Sequence, residues 1–360
     1  MKILFWVFTV SFLNLNCDPH DPTSWWNGEI GEVHIDSVIS LDSTSFYEFD
    51  TETKLIDPFR INYTNGKLII IETSATPFFH ILDVNNPAAQ ISSFGKLGRG
   101  PYEYEGPYSI SANCLQNECV LFIYDIILQR GFKYLSSKNF AGLKTDSNFI
   151  LNFNSISGSI IDLIIQNDST FVGTGIYNEG RLQYFNKKGD SFKLSGIIPN
   201  DGTDSPPFIL SQAFMGRLVS NPQTKELAIA SLYSDKIEIY KMDGTQKRLL
   251  LGPDYFNPIY ELDTRASVPR MSSDGKMRLG YTDICSTYDD SFFALYSGKT
   301  RDELEISGTG RYLLKFNWKG ILLNTYKLPF YASNIACSDS NSVYISVKSS
   351  EKNRIFKKIF

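Results

Sequence analysis

The amino-acid sequence predicts an all-β fold: a six-bladed β-propeller of four-stranded antiparallel blades, closed by an N-terminal strand. The first observation behind this prediction is a repeat. Strand cores of apolar, β-branched and aromatic residues recur six times at a spacing of about fifty residues, and no sustained helical periodicity interrupts them. The cores occupy residues 68–71, 121–124, 171–172, 227–230, 292–295 and 343–345. A period of this length is typical of propeller blades.

Each core lies between two further signals. A short polar turn, such as Asn65-Gly66, Asn167-Asp168 or Ser340-Asn341, comes just before it and suits a tight hairpin into the second strand of a blade. A strand with alternating polarity follows the core, as in residues 237–241 and 314–318. Each period therefore predicts an antiparallel meander of three or four strands.

The two ends of the chain predict how the ring closes. The last repeat ends at Phe360, directly after its third strand at residues 354–360, so that blade is one strand short. Residues 33–41 form a spare strand near the N-terminus, with apolar side chains such as Val33, Ile35 and Ile39. We expect this strand to complete the last blade, because closure removes exposed sheet edges.

Composition and charge limit the classes of protein that fit. Hydrophobic residues make up 42% of the 360 residues and aromatic residues 14%, so a large packed core is expected. A single radially repeated domain accommodates this length. With 35 Lys and Arg against 39 Asp and Glu, the net charge is -4, and no long run of one sign occurs. Nucleic acid is therefore not an expected partner. We expect a monomer.

The first residues resemble an export signal. Lys2 precedes an apolar stretch of residues 3–13, which is too short to remain as a membrane-spanning helix, and Cys17 follows shortly after. This arrangement resembles a bacterial lipobox, so we expect residues 1–17 to be a signal peptide, with Cys17 lipidated and holding the protein to a membrane. Cleavage as an ordinary secretory signal is the alternative. Residues 18–27 would form a tether and residues 28–360 the propeller domain, located in the cell envelope at the outer membrane or on the periplasmic side.

The remaining cysteines are Cys114, Cys119, Cys285 and Cys337. Cys114 and Cys119 flank a short loop and could form a disulfide across a hairpin, with buried free thiols as the alternative. No CxxC or Cys/His spacing suited to a metal is present, so neither a metal site nor a cofactor is expected.

Several segments are similar to a known family. The loop at residues 94–104, which reads Phe-Gly-Lys-Leu-Gly-Arg-Gly-Pro-Tyr-Glu-Tyr, resembles the G-x-G-P-G-E-F/Y loop of TolB-like six-bladed propeller lipoproteins of Bacteroidota. Residues 221–240 and 281–298 resemble the fourth and fifth blades of that family. The resemblance covers about residues 30–360 and implies the fold and export, but no ligand. Tyr102 stands where the family has glycine, so we expect this loop to be shaped differently here.

Long connections indicate where a ligand would bind. Residues 95–108, 197–217, 252–280 and 297–310 all emerge on one face of the predicted disc, and long loops in compact domains commonly bind something. Arginine offers a planar fork for carboxylates and tyrosine a flat ring, so we expect a polar ligand: a glycan, a peptide or a protein partner. The candidate residues are Arg99, Tyr102, Glu103, Tyr104, Arg217, Arg278, Tyr281 and Asp283.

Structural roles are the alternative for each candidate. Glu103 would then bind backbone amides of its glycine-rich loop, and Asp283 would pair with an arginine of a neighbouring blade. The chain has three histidines, of which we expect His80 at an exposed strand position, so histidine-based catalysis is poorly supported and no catalytic residue is assigned. The alternative function is a carbohydrate-active or peptide-processing hydrolase or lyase that uses carboxylates at the channel mouth. Two such carboxylates would favour hydrolysis, whereas arginine and aromatic side chains without them would favour binding.

Overall fold

The computed structural model describes residues 23–49, 55–86, 92–115, 118–137, 144–153, 158–167, 169–221, 223–265, 269–304, 308–338, 341–349 and 351–360. Signal peptide and lipobox lie outside these residues. The described chain is almost entirely β-structure and forms six sheets around a central channel, so the predicted six-bladed propeller is confirmed. The innermost strands contact one another in circular order, and the sixth contacts the first.

The first three blades are four-stranded antiparallel meanders. From the channel outward, blade 1 contains Pro58–Thr64, Lys67–Glu72, Phe79–Asp83 and Ser92–Phe94; blade 2 contains Pro107–Leu115, Glu118–Asp125, Arg130–Ser137 and Lys144–Asn152; blade 3 contains Gly158–Asn167, Thr170–Tyr177, Leu182–Asn186 and Ser191–Ser195.

The last three blades receive additional strands from the N-terminal segment. Blade 4 contains Gly216–Asn221, Glu226–Ser231, Lys236–Lys241 and Gln246–Leu251; blade 5 contains Tyr281–Ser286, Ser291–Tyr296, Gly310–Asn317 and Leu322–Ala332; blade 6 contains Asn334–Cys337, Ser342–Val347, Arg354–Ile359 and Tyr47–Phe49. Each of the six strand cores found in the sequence lies in the second strand of a blade, as predicted.

The connections carry a few short elements of their own. They are a parallel pair, Lys96–Leu97 with Glu103–Tyr104; a helix, Pro207–Ala213; a hairpin, Glu261–Asp263 with Arg270–Ser272; and 3₁₀ turns at Ser43–Ser45 and Arg301–Glu303. The helix has proline at its first position, where the missing N–H leaves no helical hydrogen bond unmade. The hairpin turns were also predicted, and Asn65 and Gly66 both have positive φ angles, of 45° and 76°, as a tight hairpin requires.

A strand from the N-terminal part of the chain closes the ring, as predicted. The predicted position of this strand, residues 33–41, is wrong, because the closing strand lies later in the sequence. Tyr47–Phe49 pairs antiparallel with Arg354–Ile359 and is the fourth strand of blade 6. Before that point, Glu29–Glu32 runs parallel to the outer strand of blade 4, and Ile39–Ser40 runs parallel to the outer strand of blade 5. The apolar character of residues 33–41 has another cause, because Val33 is buried in the core between blades 4 and 5.

The residues predicted as a tether are partly packed. Trp25 and Trp26 are each only 6% exposed and join the apolar cluster between blades 3 and 4. Trp26 also meets the ring of Tyr240 edge-on, with ring centroids 5.3 Å apart. The packed domain therefore extends upstream of residue 28, at least to Trp25.

Apolar clusters fill the spaces between successive blades. Within the described residues there is one such cluster at each of the six junctions. At the junction of blades 5 and 6 a disulfide joins Cys285 and Cys337, whose Cα atoms are 5.4 Å apart. Cys119 is also disulfide-bonded and lies opposite Cys114 in the hairpin register, although the side chain of Cys114 is outside the description.

His80 does not occupy the exposed position expected of it. Its side chain is buried on the third strand of blade 1, where Nδ1 lies 2.8 Å from the hydroxyl of Ser93 and Nε2 lies 3.3 Å from a carboxylate oxygen of Glu72. Glu72 also accepts backbone N–H groups of Ile56 and Asp57. The histidine thus takes part in a structural hydrogen-bond network, because buried polar groups need partners.

Candidate functional site

The central channel is lined by the innermost strands of all six blades. We call the end where these strands begin the upper mouth, and the end where they finish the lower mouth. The long connections reach the upper mouth, whereas the short turns into the second strands surround the lower mouth. This polarity follows from the antiparallel meander, since every blade starts at the same end.

A ring of polar side chains surrounds the channel just below the upper mouth. Each blade contributes one residue from the first part of its innermost strand, and an aliphatic residue follows each of them in the sequence. The members of this polar ring are Arg60, Ser109, Asp162, Arg217, Asp283 and Asn334. Two arginines and two aspartates give the ring charges of both signs.

Several members of the polar ring bind the innermost strand of the next blade. The Ser109 hydroxyl accepts a hydrogen bond from the Leu163 amide at 3.0 Å, and Asp162 accepts one from the Leu218 amide at 3.1 Å. Asp283 accepts one from the Ile335 amide at 2.8 Å. The polar ring therefore satisfies buried backbone amides while it connects blades.

Arg60 and Asp162 form an ion pair between blades 1 and 3. The two guanidinium nitrogens donate to the two carboxylate oxygens at 2.9 and 2.6 Å, and Ser109 donates a further hydrogen bond at 2.6 Å. Both ionic residues are buried. Burial opposes ionisation, but the charge and hydrogen bonds of Arg60, together with Arg217 and Ser109, hold the pKa of Asp162 below its usual value. Asp162 is thus an ionised acceptor with its oxygens fully used.

Asp283 lies on the other side of the same ring in a different electrostatic state. Burial raises the pKa of its carboxyl group, and the nearby charges of Arg60 and Arg217 together with the amides of Ile335 and Ile284 offset only part of that effect. No described lysine, arginine or histidine side chain lies within ion-pair distance of the Asp283 carboxylate. The predicted pairing with an arginine of a neighbouring blade is therefore a longer-range attraction and not a direct contact.

Of the charged side chains in the polar ring, that of Arg217 makes the fewest hydrogen bonds to the described protein. Its guanidinium group lies over the rings of Phe59 and Tyr108, at 5.5 and 5.2 Å from their centroids. Nη1 is buried without a hydrogen-bond acceptor, and no described residue accepts a hydrogen bond from the rest of the group. The aromatic rings fix the cation in place, because cations are attracted to ring faces. The side chain is only partly buried, so an acceptor from solution can complete its hydrogen bonds.

Below the polar ring the channel widens into a cavity of about 170 Å³, to which Arg60 and Asp283 both contribute. That volume is smaller than the roughly 300–1,000 Å³ of ordinary small-molecule sites, so only a small part of a ligand would fit there. Carboxylates, arginines and aromatic rings all converge at the upper mouth. Asp162 is occupied by Arg60 and by backbone amides. Asp283 is therefore the one carboxylate of the polar ring with spare acceptor capacity.

The loop with the family signature holds four of the predicted residues away from the channel. Arg99 is exposed and binds Glu105 at 2.6 Å, and Tyr104 is fully buried with its hydroxyl against that of Tyr134. Glu103 accepts a hydrogen bond from the Gly100 amide at 2.8 Å, as its structural alternative required.

Tyr102 contradicts the expectation of a differently shaped loop. Its φ angle is 69°, in the left-handed region that glycine adopts easily. Left-handed geometry costs a residue with a side chain about 1–2 kcal/mol. The side chain packs against the apolar cluster between blades 1 and 2, which offsets that cost.

Two further candidates lie between blades 4 and 5. Arg278 donates to Asp254 at 2.6 Å and to the carbonyl of Gly298, and it covers the ring of Phe256. Tyr281 is fully buried and its hydroxyl donates to the carbonyl of Gly252 at 2.8 Å. These contacts stabilise the long connections. Of the eight predicted residues, Arg217 and Asp283 are the two that reach the polar ring.

The sequence-based prediction did not include the other members of the polar ring. It also did not include Phe59 and Tyr108, whose aromatic side chains hold Arg217. A signal for them existed: one polar residue followed by Ile or Leu recurs once per period, at the start of every innermost strand. The charged members do not repeat in type from blade to blade. Only alignment of the six periods by their second strands would have revealed the position.

Two general properties complete the description of the site. Within the described residues, no cluster of His, Cys, Asp and Glu side chains is arranged to hold a metal ion. No helix in the described ranges is both long and apolar enough to cross a bilayer.

The fold and the channel define the class of this protein as a six-bladed propeller with a polar channel mouth. The family model described as TolB-like 6-blade propeller-like matches residues 36–340. The chain therefore belongs to the TolB-like six-bladed propeller family, and the resemblance found in the sequence is confirmed.

Two solved structures of Bacteroides proteins have the same fold. A member of the DUF4221 family from Bacteroides vulgatus has a TM-score of 0.53 at 12% identity, covering 87% of this chain and 95% of that one. A Bacteroides fragilis protein described as exported has a TM-score of 0.53 at 11% identity, covering 92% of this chain and 99% of that one. At such identities the similarity concerns the fold alone. The comparison with curated protein sequences gave no match.

Proposed function

We propose that the propeller is a binding module that holds a carboxylate-bearing polar ligand, such as an acidic sugar or the end of a peptide, at its upper mouth. The observation that carries this proposal is Arg217, a guanidinium group held over the rings of Phe59 and Tyr108 without an acceptor among the described residues. A planar guanidinium matches a carboxylate with two parallel hydrogen bonds. The long connections around the upper mouth provide the surface for the remainder of the ligand.

The same geometry argues against the alternative of a hydrolase or lyase. Hydrolysis by a carboxylate pair needs one group to donate a proton and another to act as base or nucleophile. Asp162 is occupied by Arg60, Ser109 and two backbone amides, so of the two carboxylates in the polar ring Asp283 alone has capacity for that chemistry. Binding therefore accounts for the arrangement better than catalysis does.

Calorimetric titration of the purified protein tests the binding proposal. The probes are glucuronate, succinate and an acetylated dipeptide with a free carboxyl terminus, each paired with its amide. We expect the carboxylates to bind and the amides to fail. Arg217→Gln should weaken binding roughly 10- to 150-fold, the value of one hydrogen bond to a charged group. Arg217→Lys should recover only part of it, because lysine lacks the fork.

Arg248→Gln is the matched control, since it removes a partly exposed arginine on the outer strand of blade 4, where its partner is Glu29 of the N-terminal segment. This variant should bind like the wild type. Equal affinity of Arg217→Gln and wild type for every carboxylate, or no carboxylate binding by the wild type, would overturn the proposal.

We further propose that the protein is a lipoprotein of the cell envelope, anchored through Cys17. The N-terminal sequence supports this, with a short apolar stretch before the cysteine. Trp25, which is packed in the domain, lies eight positions after Cys17, and this length of chain can span at most about 28 Å. The propeller would therefore stay close to the membrane surface.

Metabolic labelling with an alkyne fatty acid in a bacterial host checks the anchor. The wild type should incorporate label and enter the detergent phase on partitioning, whereas Cys17→Ala should lose both properties. Label on Cys17→Ala, or an unlabelled wild type, would contradict the anchor. Cys114→Ala, which changes a cysteine far from the N-terminus, serves as the control and should keep its label.

A further inference from the structure

The lower mouth of the channel contains a second, larger cavity. Its volume is about 440 Å³, against about 170 Å³ for the cavity below the polar ring. The larger value lies within the roughly 300–1,000 Å³ of small-molecule sites. Short turns into the second strands surround the lower mouth, so the described residues that border this space come from the inner strands and short turns and not from the long connections.

The lining of this cavity has a distinct chemistry. Hydroxyl and amide side chains come from several blades and surround the space, namely Thr64, Ser111, Gln166, Ser220, Ser286 and Thr287. Lys225 is the one charged residue among those that line the cavity. Neutral groups that both donate and accept hydrogen bonds suit a ligand with many hydroxyl groups. Among the described lining residues, an anion would meet a single lysine and a cation would meet no carboxylate.

Three side chains that line this cavity, in blades 4 and 5, make no hydrogen bond or aromatic contact with the described residues. The side chain of Ser220 makes no hydrogen bond to a described residue, and none accepts a hydrogen bond from the Lys225 ammonium group. Tyr288 is 67% exposed, and its ring contacts no other described aromatic ring. An exposed tyrosine at the edge of a polar cavity presents a flat apolar face beside hydrogen-bonding groups.

The turns that carry these groups are held in fixed positions. The Asn221 amide in blade 4 donates to Asp290 in blade 5 at 2.8 Å, and the Gln223 amide donates to the carbonyl of Tyr288 at 3.4 Å. Both bonds cross the junction between the blades. The backbone carbonyl of Tyr288 is therefore held at the junction, which lowers the entropic cost of ordering this residue on binding.

From these observations we infer that the lower mouth is a second binding site, which takes a neutral sugar of one or two rings. The ring of Tyr288 stacks on the apolar face of the sugar, and Ser220 and Lys225 bind its hydroxyl groups. This site is separate from the carboxylate site, because Ser220, Lys225 and Tyr288 lie at the lower mouth and Arg217 lies in the polar ring near the upper mouth.

Saturation-transfer NMR and calorimetric titration of the purified protein test this inference. The probes are glucose, galactose, N-acetylglucosamine and cellobiose. At least one should bind the wild type. Tyr288→Ala should weaken that binding about two- to tenfold, and Tyr288→Phe, which keeps the ring, should bind within about twofold of the wild type. Ser220→Ala should also weaken binding.

Two controls separate this site from the rest of the protein. Tyr47→Ala removes another exposed tyrosine, on the closing strand, and should leave sugar binding unchanged. Arg217→Gln should weaken carboxylate binding while the sugar still binds as before, so the two proposals fail independently. The inference is overturned if no probe binds the wild type, or if Tyr288→Ala and Ser220→Ala bind as the wild type does.

Discussion

The ion pair of Arg60 and Asp162 connects blades that are not neighbours in the ring. Arg60 belongs to blade 1 and Asp162 to blade 3, and Ser109 of blade 2 donates to the same carboxylate. All three are buried, so each depends on the others for hydrogen bonds. A buried ion pair of this kind stabilises little compared with an apolar packing, but removing one partner leaves an uncompensated charge.

Asp162→Asn should therefore destabilise the protein by about 3–5 kcal/mol at pH 7. The pKa of Asp162 is lowered in the folded state, so its contribution is full above the unfolded pKa of about 3.9 and is lost as pH falls through the folded value. The penalty should accordingly shrink below about pH 3.9. Urea unfolding of variant and wild type across this range measures it.

Two comparisons make that result decisive. Asp36→Asn changes an exposed carboxylate and should have little effect at any pH. The double variant Arg60→Met/Asp162→Leu removes both charges and should be more stable than Asp162→Asn. A penalty of Asp162→Asn that stays constant with pH would contradict the electrostatic explanation.

At the scale of single elements, the sequence predicted what local pattern determines. The second strand of each blade and the turn before it lie within a dozen residues, so apolar runs and turn residues identify them directly. The strand Tyr47–Phe49 has three residues, and Glu29–Glu32 and Ile39–Ser40 have four and two. Their pairing partners lie hundreds of residues away along the chain. No local pattern carries that information.

The cysteines illustrate the same division. Cys114 and Cys119 are close in sequence, and a bond between them was considered because a hairpin brings them together. Cys285 and Cys337 are 52 residues apart, which is one blade period, and they occupy innermost strands of adjacent blades. Their disulfide becomes predictable once the six periods are aligned. The polar ring has the same origin, since its members share one position of the repeat.

At the scale of the whole molecule, the N-terminal segment connects the last three blades from outside. It pairs with blade 4, then blade 5, and finally completes blade 6 beside the C-terminal strand. The closing strand Tyr47–Phe49 thereby lies beside the C-terminal strand in one sheet. Channel geometry depends on this closure, because the innermost strands of blades 6 and 1 contact each other only when the ring is shut.

Phe49 tests the importance of that closure for the entire ring. It is 3% exposed on the closing strand, belongs to the cluster between blades 6 and 1, and its ring lies 5.7 Å from that of Tyr344. Phe49→Ala should cost about 3–5 kcal/mol in the free energy of unfolding, in one cooperative transition. Glu48→Ala, the neighbour on the opposite face, loses only a partly exposed ion pair with Arg354 and should cost under about 1 kcal/mol. Thermal and urea unfolding, followed by circular dichroism, measure both. A closing strand that merely decorates the ring would instead give equal, small losses for the two variants, or a separate low-temperature transition that leaves the other blades intact.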